Sequence, residues 1–429
     1  MPETQNPKSG TIDLCYDNDP ELLPVAEAQR RIAAHTPRIH EVEDLPLRSS
    51  LNRILASDVF APHNVPGYTN SAVDGYALAG SDLPSTETEE FRVIGKTFAG
   101  KPYTGSVGPG ECIHIMTGGM MPEGCDSVVM QEHVQHTGTQ SEPRVRIASG
   151  HGLGQNVRAA GEDLSAGCLA LTRGCRLLPA QIGLLASLGM SQIRVVRKLK
   201  VAFFSTGDEL RSLDEPLNPG EVYDSNRYTL HAMLERMDVD IHDLGVIPDD
   251  PQAIHQALSQ GAELADVILT SGGVSAGEAD FVQRALSQLG QVGFWKIAIR
   301  PGRPLTFGRI GDSVFFGLPG NPVAVMVTFY QFVQEALLHM MGDLNTRALP
   351  LMEATCPTPL RKKPGRVEYY RAVLSRDSDG HLQVCPTGKT GSGLLHTMSD
   401  ANCFIVLDEN SASLESGARV KVQPFFGLV

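Results

Sequence analysis

From Leu199 onward, short apolar runs alternate with stretches of helical spacing, and no other feature of the chain narrows its fold as far. The pattern predicts strands at Val201 to Phe204, Ile241 to Val246, Val267 to Leu269, Phe294 to Ile299 and Val314 to Phe316. It predicts helices at Arg227 to Met237, at Pro251 to Leu264, after the glycine-rich stretch that ends at Gly277, and from Pro322 to about Met341. Such alternation specifies a doubly wound, mostly parallel sheet covered on both faces, with ligands collecting at the carboxyl ends of its strands.

Three of those strand ends carry unusual loops. Thr270-Ser271-Gly272-Gly273-Val274-Ser275-Ala276-Gly277, with Asp280 just beyond, supplies three glycines and three hydroxyls between a buried strand and a helix. Glycine admits close approach of a ligand, and the following helix start carries partial positive charge, so the loop suits an oxyanion. Ser205-Thr206-Gly207-Asp208-Glu209 follows the first strand, and Gly317-Leu318-Pro319-Gly320-Asn321-Pro322 follows the last. Each alone has an ordinary reading as a turn or a helix start. Together, on one sheet, they are expected to meet at a common edge.

Two kinds of charge accompany them. Trp295 to Arg303 alternates as one strand would, with Lys296 and Arg300 on one face, and Phe294 to Phe307 holds three cations and no acid. A solvated edge would explain that segment in isolation; beside a hydroxyl-rich loop it points to anion binding. Glu209, Asp249 and Asp280 are hard oxygen ligands of the type that suits a magnesium ion, Mg2+, although capping of the next helix also explains Asp249-Asp250-Pro251.

The remainder of the 429 residues reads as smaller units. Residues 1–20 form a polar, flexible N-terminus, 21–50 and 164–198 a linking helical and β domain, and 51–163 an inserted β domain. The α/β domain spans 199–347 and a small C-terminal β domain 348–429, giving a multidomain α/β plus β chain. Helices are expected at Val25 to His35 and Pro179 to Leu188, with short strands at Phe91 to Ile94, Cys112 to Met116, Ser127 to Met130 and Val145 to Ile147. In the insertion, Ser71-Ala72-Val73-Asp74-Gly75-Tyr76, Met116-Thr117-Gly118 and Gly161-Glu162-Asp163 look individually like turn chemistry, the Asp-Gly pair in particular like a hairpin turn.

Charge excludes several functions. Asp and Glu total 49 against 36 Lys and Arg, a net charge of −13, which argues against a broad nucleic-acid or acidic-lipid surface, so any anion site must be local. Eight scattered cysteines without a C-x-x-C pair fit reduced thiols in the cytoplasm. No secretory signal is evident, and no apolar run reaches the ~18 residues of a membrane span, the nearest being Val323 to Val333, broken by Thr328, Tyr330 and Gln331. Gly388-Lys389-Thr390 lacks the first glycine of a P-loop, and none of the 13 histidines shows zinc spacing.

As an ordered set running from about Leu23 to the end, these motifs, with Asp224-Ser225-Asn226 and Pro301-Gly302-Arg303-Pro304, resemble the molybdopterin molybdenumtransferase family, which includes the C-terminal domain of gephyrin. The resemblance implies an elongated homodimer of four-domain subunits. Its active site would lie between the α/β domain of one subunit and the inserted β domain of the other, and other molybdenum cofactor biosynthesis proteins would be its partners. The implied reaction moves molybdenum from molybdate into adenylylated molybdopterin, releasing AMP with help from Mg2+. Carried over by position, Asp74, Thr117 and Asp163 would serve catalysis from the β domain, and Glu209, Asp249 and Asp280 would serve metal or nucleotide. Lys296 and Arg300 would hold phosphate or molybdate, with Pro319 and Pro322 shaping their loop and Arg371 and Ser392 reaching in from the last domain. Lysine is expected where Arg300 and often Arg303 stand; arginine keeps the charge but presents a planar fork. An adenylyltransferase acting on molybdopterin and ATP is the alternative enzyme, disfavoured by the long β insertion, and a scaffold is disfavoured by the lack of a second glycine-loop domain or a long disordered linker.

Overall fold

The computed structural model describes residues 22–273, 288–344, 351–388 and 391–426. At its centre is a six-stranded sheet in the order Asp240–Ile247, Lys200–Thr206, Val267–Ser271, Ser313–Leu318, Pro304–Ile310, Gly290–Lys296. The first four are parallel and the last two join antiparallel. Val267–Ser271 and Ser313–Leu318 are buried at every position, as strands covered on both faces must be. Period-2 alternation sends Val201, Phe203, Leu269 and Phe316 into one apolar cluster and Phe204, Ile268 and Phe315 into another on the opposite face. Burying each of these large side chains contributes about 1.5–3 kcal/mol.

Helices Ser225–Arg236 and Pro251–Leu264 start on side-chain caps: Asp224 accepts from the Arg227 N–H (3.1 Å) and Asp250 from that of Ala253 (2.9 Å). Capping therefore accounts for Asp250 and not for Asp249, whose Oδ1 accepts from the Thr206 hydroxyl. The helical stretch Pro322–Met340 is continuous for 19 residues, long and apolar enough to cross a bilayer by composition, but 72% of its apolar window is buried inside the protein, which makes it a core helix. Its polar interruptions have a purpose in the core. Within a π-helical turn at Phe329–Val333, Gln331 donates to the Gln423 side chain (2.9 Å) and accepts from the Tyr369 hydroxyl (3.0 Å), tying the helix to the C-terminal strands.

One expectation for this region needs correcting, and one strand is additional to those expected. The segment expected as one strand from Phe294 to Ile299 is split: the first strand ends at Lys296, and Ile299–Arg300 pairs with Val367 and Glu368 in another sheet. Between them the Ala298 N–H bonds to the Leu23 carbonyl (2.8 Å), and Ile297, Ala298 and Ile299 are all buried, so the alternation of faces that placed Lys296 beside Arg300 breaks down. Pro304–Ile310 is a strand the sequence pattern did not reveal, with Leu305 and Phe307 packed inward.

The remaining sheets frame the centre. Val42–Pro46 pairs with Gln192–Val196 across the long insertion. The insertion itself holds a six-stranded sheet in the order Ser127–Met130, Gly75–Leu78, Glu111–Ile115, Glu89–Thr97, Pro143–Ile147, Val134–Gly138. Gly75 opens a central strand here and is no hairpin turn; a Cβ at that position would lie 2.1 Å from the Val129 carbonyl oxygen. In the C-terminal region, Val367–Arg376, Leu382–Pro386, Met352–Cys356, Ala418–Pro424 and Cys403–Leu407 form a ring closed by pairing of the last with the first. Helices Val25–His35 and Pro179–Ser187 fall where spacing predicts. The described cysteines are free of disulfides.

Candidate functional site at the carboxyl edge of the central sheet

Register brings the three loops together. Ser205 pairs with Ser271, and Ser271 with Leu318, so three strands finish in one row and their loops begin side by side. The turn after Ser271 has to be glycine. Gly272 has φ of 93°, and a Cβ there would stand 2.4 Å from the Thr206 carbonyl oxygen, so any larger residue would push the first loop away. The Gly272 N–H donates to the Leu318 carbonyl (3.2 Å), and the Asn226 amide donates to both the Ser271 hydroxyl (2.8 Å) and the Gly320 carbonyl (2.7 Å).

Above this floor lies a cleft of about 710 Å³. Thr206, Gly207 and Glu209 line it from the first loop, and Ser271, Gly272 and Gly273 from the second. Pro319, Gly320 and Asn321 come from the third, Arg300, Pro301, Gly302 and Arg303 from the crossover between sheets, and Ser392 from the C-terminal domain. Gly302 also has φ of 98°, and a Cβ would meet the Thr328 hydroxyl at 2.5 Å, so the crossover can pack on the core helix only as glycine. Two guanidinium groups, Arg300 and Arg303, face one carboxylate, Glu209, among the lining residues, which makes the cleft locally cationic in an acidic chain. Arg300 is half exposed, its Nη1 standing 3.6 Å from the buried Glu368 carboxylate, which orients the guanidinium without enclosing it.

Other expected residues fall around this cleft. Thr270 is buried at the strand end beneath it, and Pro322 occupies the first turn of the core helix. Arg371 is buried, donating to the Thr397 hydroxyl (2.9 Å) and the Gly391 carbonyl (3.2 Å), and it lines a small neighbouring cavity of about 20 Å³ with Arg300, Pro301 and Glu368. Lys296 is exposed at the end of its strand, paired with Pro304, and is not among the cleft-lining residues. Ser275, Gly277 and Asp280 lie outside the described residues.

For a divalent cation, Glu209 and Asp249 offer carboxylate oxygens from adjacent loops. Glu209 folds back over Gly207, where an added Cβ would meet its Oε2 at 2.6 Å, and the Asp249 N–H donates to Asp208 (3.1 Å). Among the described residues, three possible metal ligands gather within 4.8 Å only at Asp377, Asp379 and His381, on an exposed turn of the C-terminal sheet. Of the Glu209 and Asp249 carboxylates, Glu209 lines the cleft, and Asp249 stands behind it with its Oδ1 bonded to the cleft-lining Thr206.

The insertion carries its own constellation. Thr117 donates to Asp74 Oδ1 through both its N–H (2.7 Å) and its hydroxyl (2.6 Å). Those two bonds, the hydroxyl's being the stronger, hold the Asp74 carboxyl below the usual aspartate range. Asp163 is exposed, its N–H bonded to the Val65 carbonyl (3.0 Å). None of the described residues lining the cleft belongs to 51–163, so within one chain Asp74, Thr117 and Asp163 stand apart from Arg300 and Glu209. Sequence reasoning gave Thr206 and Asn226 no individual role; the only signal for the second was the polar helix start Asp224-Ser225-Asn226.

The chain matches the family models described as MoeA N-terminal region (domain I and II) over residues 23–189, probable molybdopterin binding domain over 202–339, and MoeA C-terminal region (domain IV) over 353–425. It is 39% identical over 408 residues to a molybdopterin molybdenumtransferase of Haemophilus influenzae, covering 95% of this chain and 100% of that protein. A gephyrin of Dictyostelium discoideum is 31% identical, covering 93% of this chain and 62% of that protein. The crystal structure of the molybdopterin biosynthesis MoeA protein of Pyrococcus horikoshii OT3 matches with a TM-score of 0.81 at 28% identity, over 94% of this chain and 100% of that one. Agreement of this extent, in sequence, domain order and fold, means that the chain belongs to the molybdopterin molybdenumtransferase family.

Proposed function

We propose that the protein transfers molybdenum from molybdate into adenylylated molybdopterin, releasing AMP and completing the molybdenum cofactor. The observation that carries this reading is the meeting of three strand-end loops with Arg300 and Arg303 in one cleft of about 710 Å³, in a chain whose net charge is −13. Molybdate and a phosphoanhydride are both anions. Bringing them together requires cations and oriented N–H donors already in place, because such donors need no reorganisation as the charge moves.

In this account the glycine turn at Gly272 and Gly273 and the Arg300 and Arg303 guanidiniums bind the anionic groups. Ser271, Asn321 and Ser392 supply polar contacts along the cleft, and Arg371, buried behind Arg300, shapes the adjoining pocket. Lys296, exposed at the strand end opposite the cleft-lining Pro304, is assigned a lesser, longer-range electrostatic part. Glu209, Asp249 and Asp280 are the residues that would hold magnesium, which when bound would neutralise charge on the leaving phosphate. Asp74, its carboxylate kept ionised by Thr117, and Asp163 orient the attacking oxygen, whether of molybdate or of water.

Since Asp74 and Asp163 do not line the cleft of their own chain, a homodimer in which the insertion of one subunit covers the cleft of the other completes the site. Its setting is the cytoplasm, where other cofactor-assembly proteins supply the substrate and receive the product. The test is to incubate the purified protein with adenylylated molybdopterin and magnesium, then add molybdate and follow AMP. AMP release that depends on molybdate is expected. Synthesis of the adenylylated pterin from molybdopterin and ATP would assign the adenylyltransferase reaction instead, and neither activity would leave a scaffold.

A further inference from the structure

The helix Ser225–Arg236 begins at the floor of the cleft, which Asn226 itself lines, and its cap and first turn bond to the ends of two parallel strands and to the loop after a third. Asp224, 1% exposed, accepts from Ser205 at the end of the first strand (3.1 Å). Asn226, 8% exposed, donates one amide hydrogen to Ser271 at the end of the second (2.8 Å) and the other to the Gly320 carbonyl in the loop after the third (2.7 Å). Gly320 offers only an acceptor, so the amide nitrogen must face it, and both donors are then committed. The Asn226 Oδ1 is left buried with no partner. Leaving such an acceptor unpaired carries a cost that a residue serving only the core would avoid by being apolar.

Resting on the reaction proposed above, we infer that Asn226 is a positioning residue which fixes the spacing between the glycine loop and the Pro319-Gly320-Asn321 loop, with Asp224 anchoring the same helix turn to the first strand. Its two bonds reach across 45 and 94 residues of sequence. The strand ladder between them ends at Ser271 and Leu318, and beyond it the Gly272 to Leu318 bond, at 3.2 Å, is the backbone link described between the two loops, so the Asn226 amide is the described side-chain tie that reaches Gly320. Removing the amide would let the walls of the anion cleft drift apart while leaving the arginines and the glycine turn present. Binding is then largely retained and alignment is lost, because a shift of about 1 Å in the relation of two reacting groups can reduce turnover by about 100-fold. Losing alignment with binding intact is read as a fall in kcat at little-changed KM.

The experiment compares wild type, Asn226→Ala and Asn226→Leu, the last filling the same space without donors. Molybdate-dependent AMP release gives kcat and KM, calorimetric titration with adenylylated molybdopterin gives affinity, and a thermal melt reports folding. Both variants are expected to lose roughly 100-fold in kcat with KM and affinity within about threefold of wild type. Either variant turning over within about twofold of wild type would overturn the inference, as would a loss confined to KM, or loss of the melting transition in both variants, which would assign Asn226 to folding. A wild-type protein without molybdate-dependent AMP release would instead sink the proposed reaction, a result distinct from all of these.

Discussion

Thr117 places two hydrogen bonds on a single oxygen of Asp74, one from its backbone N–H at 2.7 Å and one from its hydroxyl at 2.6 Å. Both bonds are stronger to the ionised carboxylate than to the neutral acid, so they lower its pKa and fix its orientation at once. This oriented carboxylate lies between the short strand Asn70–Ser71 and the strand Gly75–Leu78, and the catalytic role proposed for it is open to direct test.

Asp74→Ala should therefore leave the fold and oligomeric state as they are and reduce molybdate-dependent AMP release by at least about 100-fold, the usual contribution of a positioned acid or base. Gel filtration and steady-state rates check both halves. A rate unchanged from wild type would return Asp74 to a structural role.

The direction of the Asp74 shift sets a pH prediction. Because its folded pKa is depressed, the carboxylate stays charged below the ordinary aspartate range, and activity that depends on it persists to correspondingly low pH. Thr117→Val removes the hydroxyl donor and keeps the N–H, so the acid limb of the rate profile should move upward, toward the ordinary value. A limb that stays in place would show that another group controls it.

Arg300→Ala should lower kcat/KM by roughly 10- to 100-fold, the loss of a charge-assisted hydrogen bond of about 1.5–3 kcal/mol. Arg300→Lys should recover part of that loss, since it restores the charge without the planar fork. Steady-state kinetics with varied molybdate and varied pterin identifies which anion the guanidinium holds.

At the base of the central sheet, Arg197 binds both oxygens of Asp266, at 2.7 and 2.8 Å, joining the end of the linking segment to the start of a buried strand. Burial alone would raise the Asp266 pKa, but the Arg197 hydrogen bonds and the Lys200 N–H outweigh it and the net shift is downward. A depressed folded value means that the stabilisation is present above the unfolded aspartate pKa and is lost as pH falls through the folded one. Asp266→Asn should lower stability at neutral pH by about 1.5–3 kcal/mol and flatten the acid side of a stability profile, both measurable by urea unfolding.

Much of this arrangement was legible from the chain alone. Val267 to Leu269 and Val314 to Phe316 announce buried parallel strands because they are apolar at every position, and Pro251 to Leu264 announces its helix by its cap, its proline and its spacing. The split after Lys296 was not legible, since the alternation of Trp295 to Arg300 fits one strand equally well and only the bond from Ala298 to Leu23 shows where the chain changes sheets. Asn226 was hidden for a similar reason: its partners lie 45 and 94 residues away, and no local pattern encodes such contacts. Pro304–Ile310 escaped because two of its seven residues are a proline and a glycine, which usually punctuate strands.

The most direct test of the central claim is a stoichiometry: AMP released and molybdenum bound to the pterin product, measured together in one quenched time course with the purified protein. The account predicts equal amounts of the two at every time point and no AMP without molybdate. AMP that accumulates without molybdenum in the pterin, or at the same rate when molybdate is omitted, would contradict it.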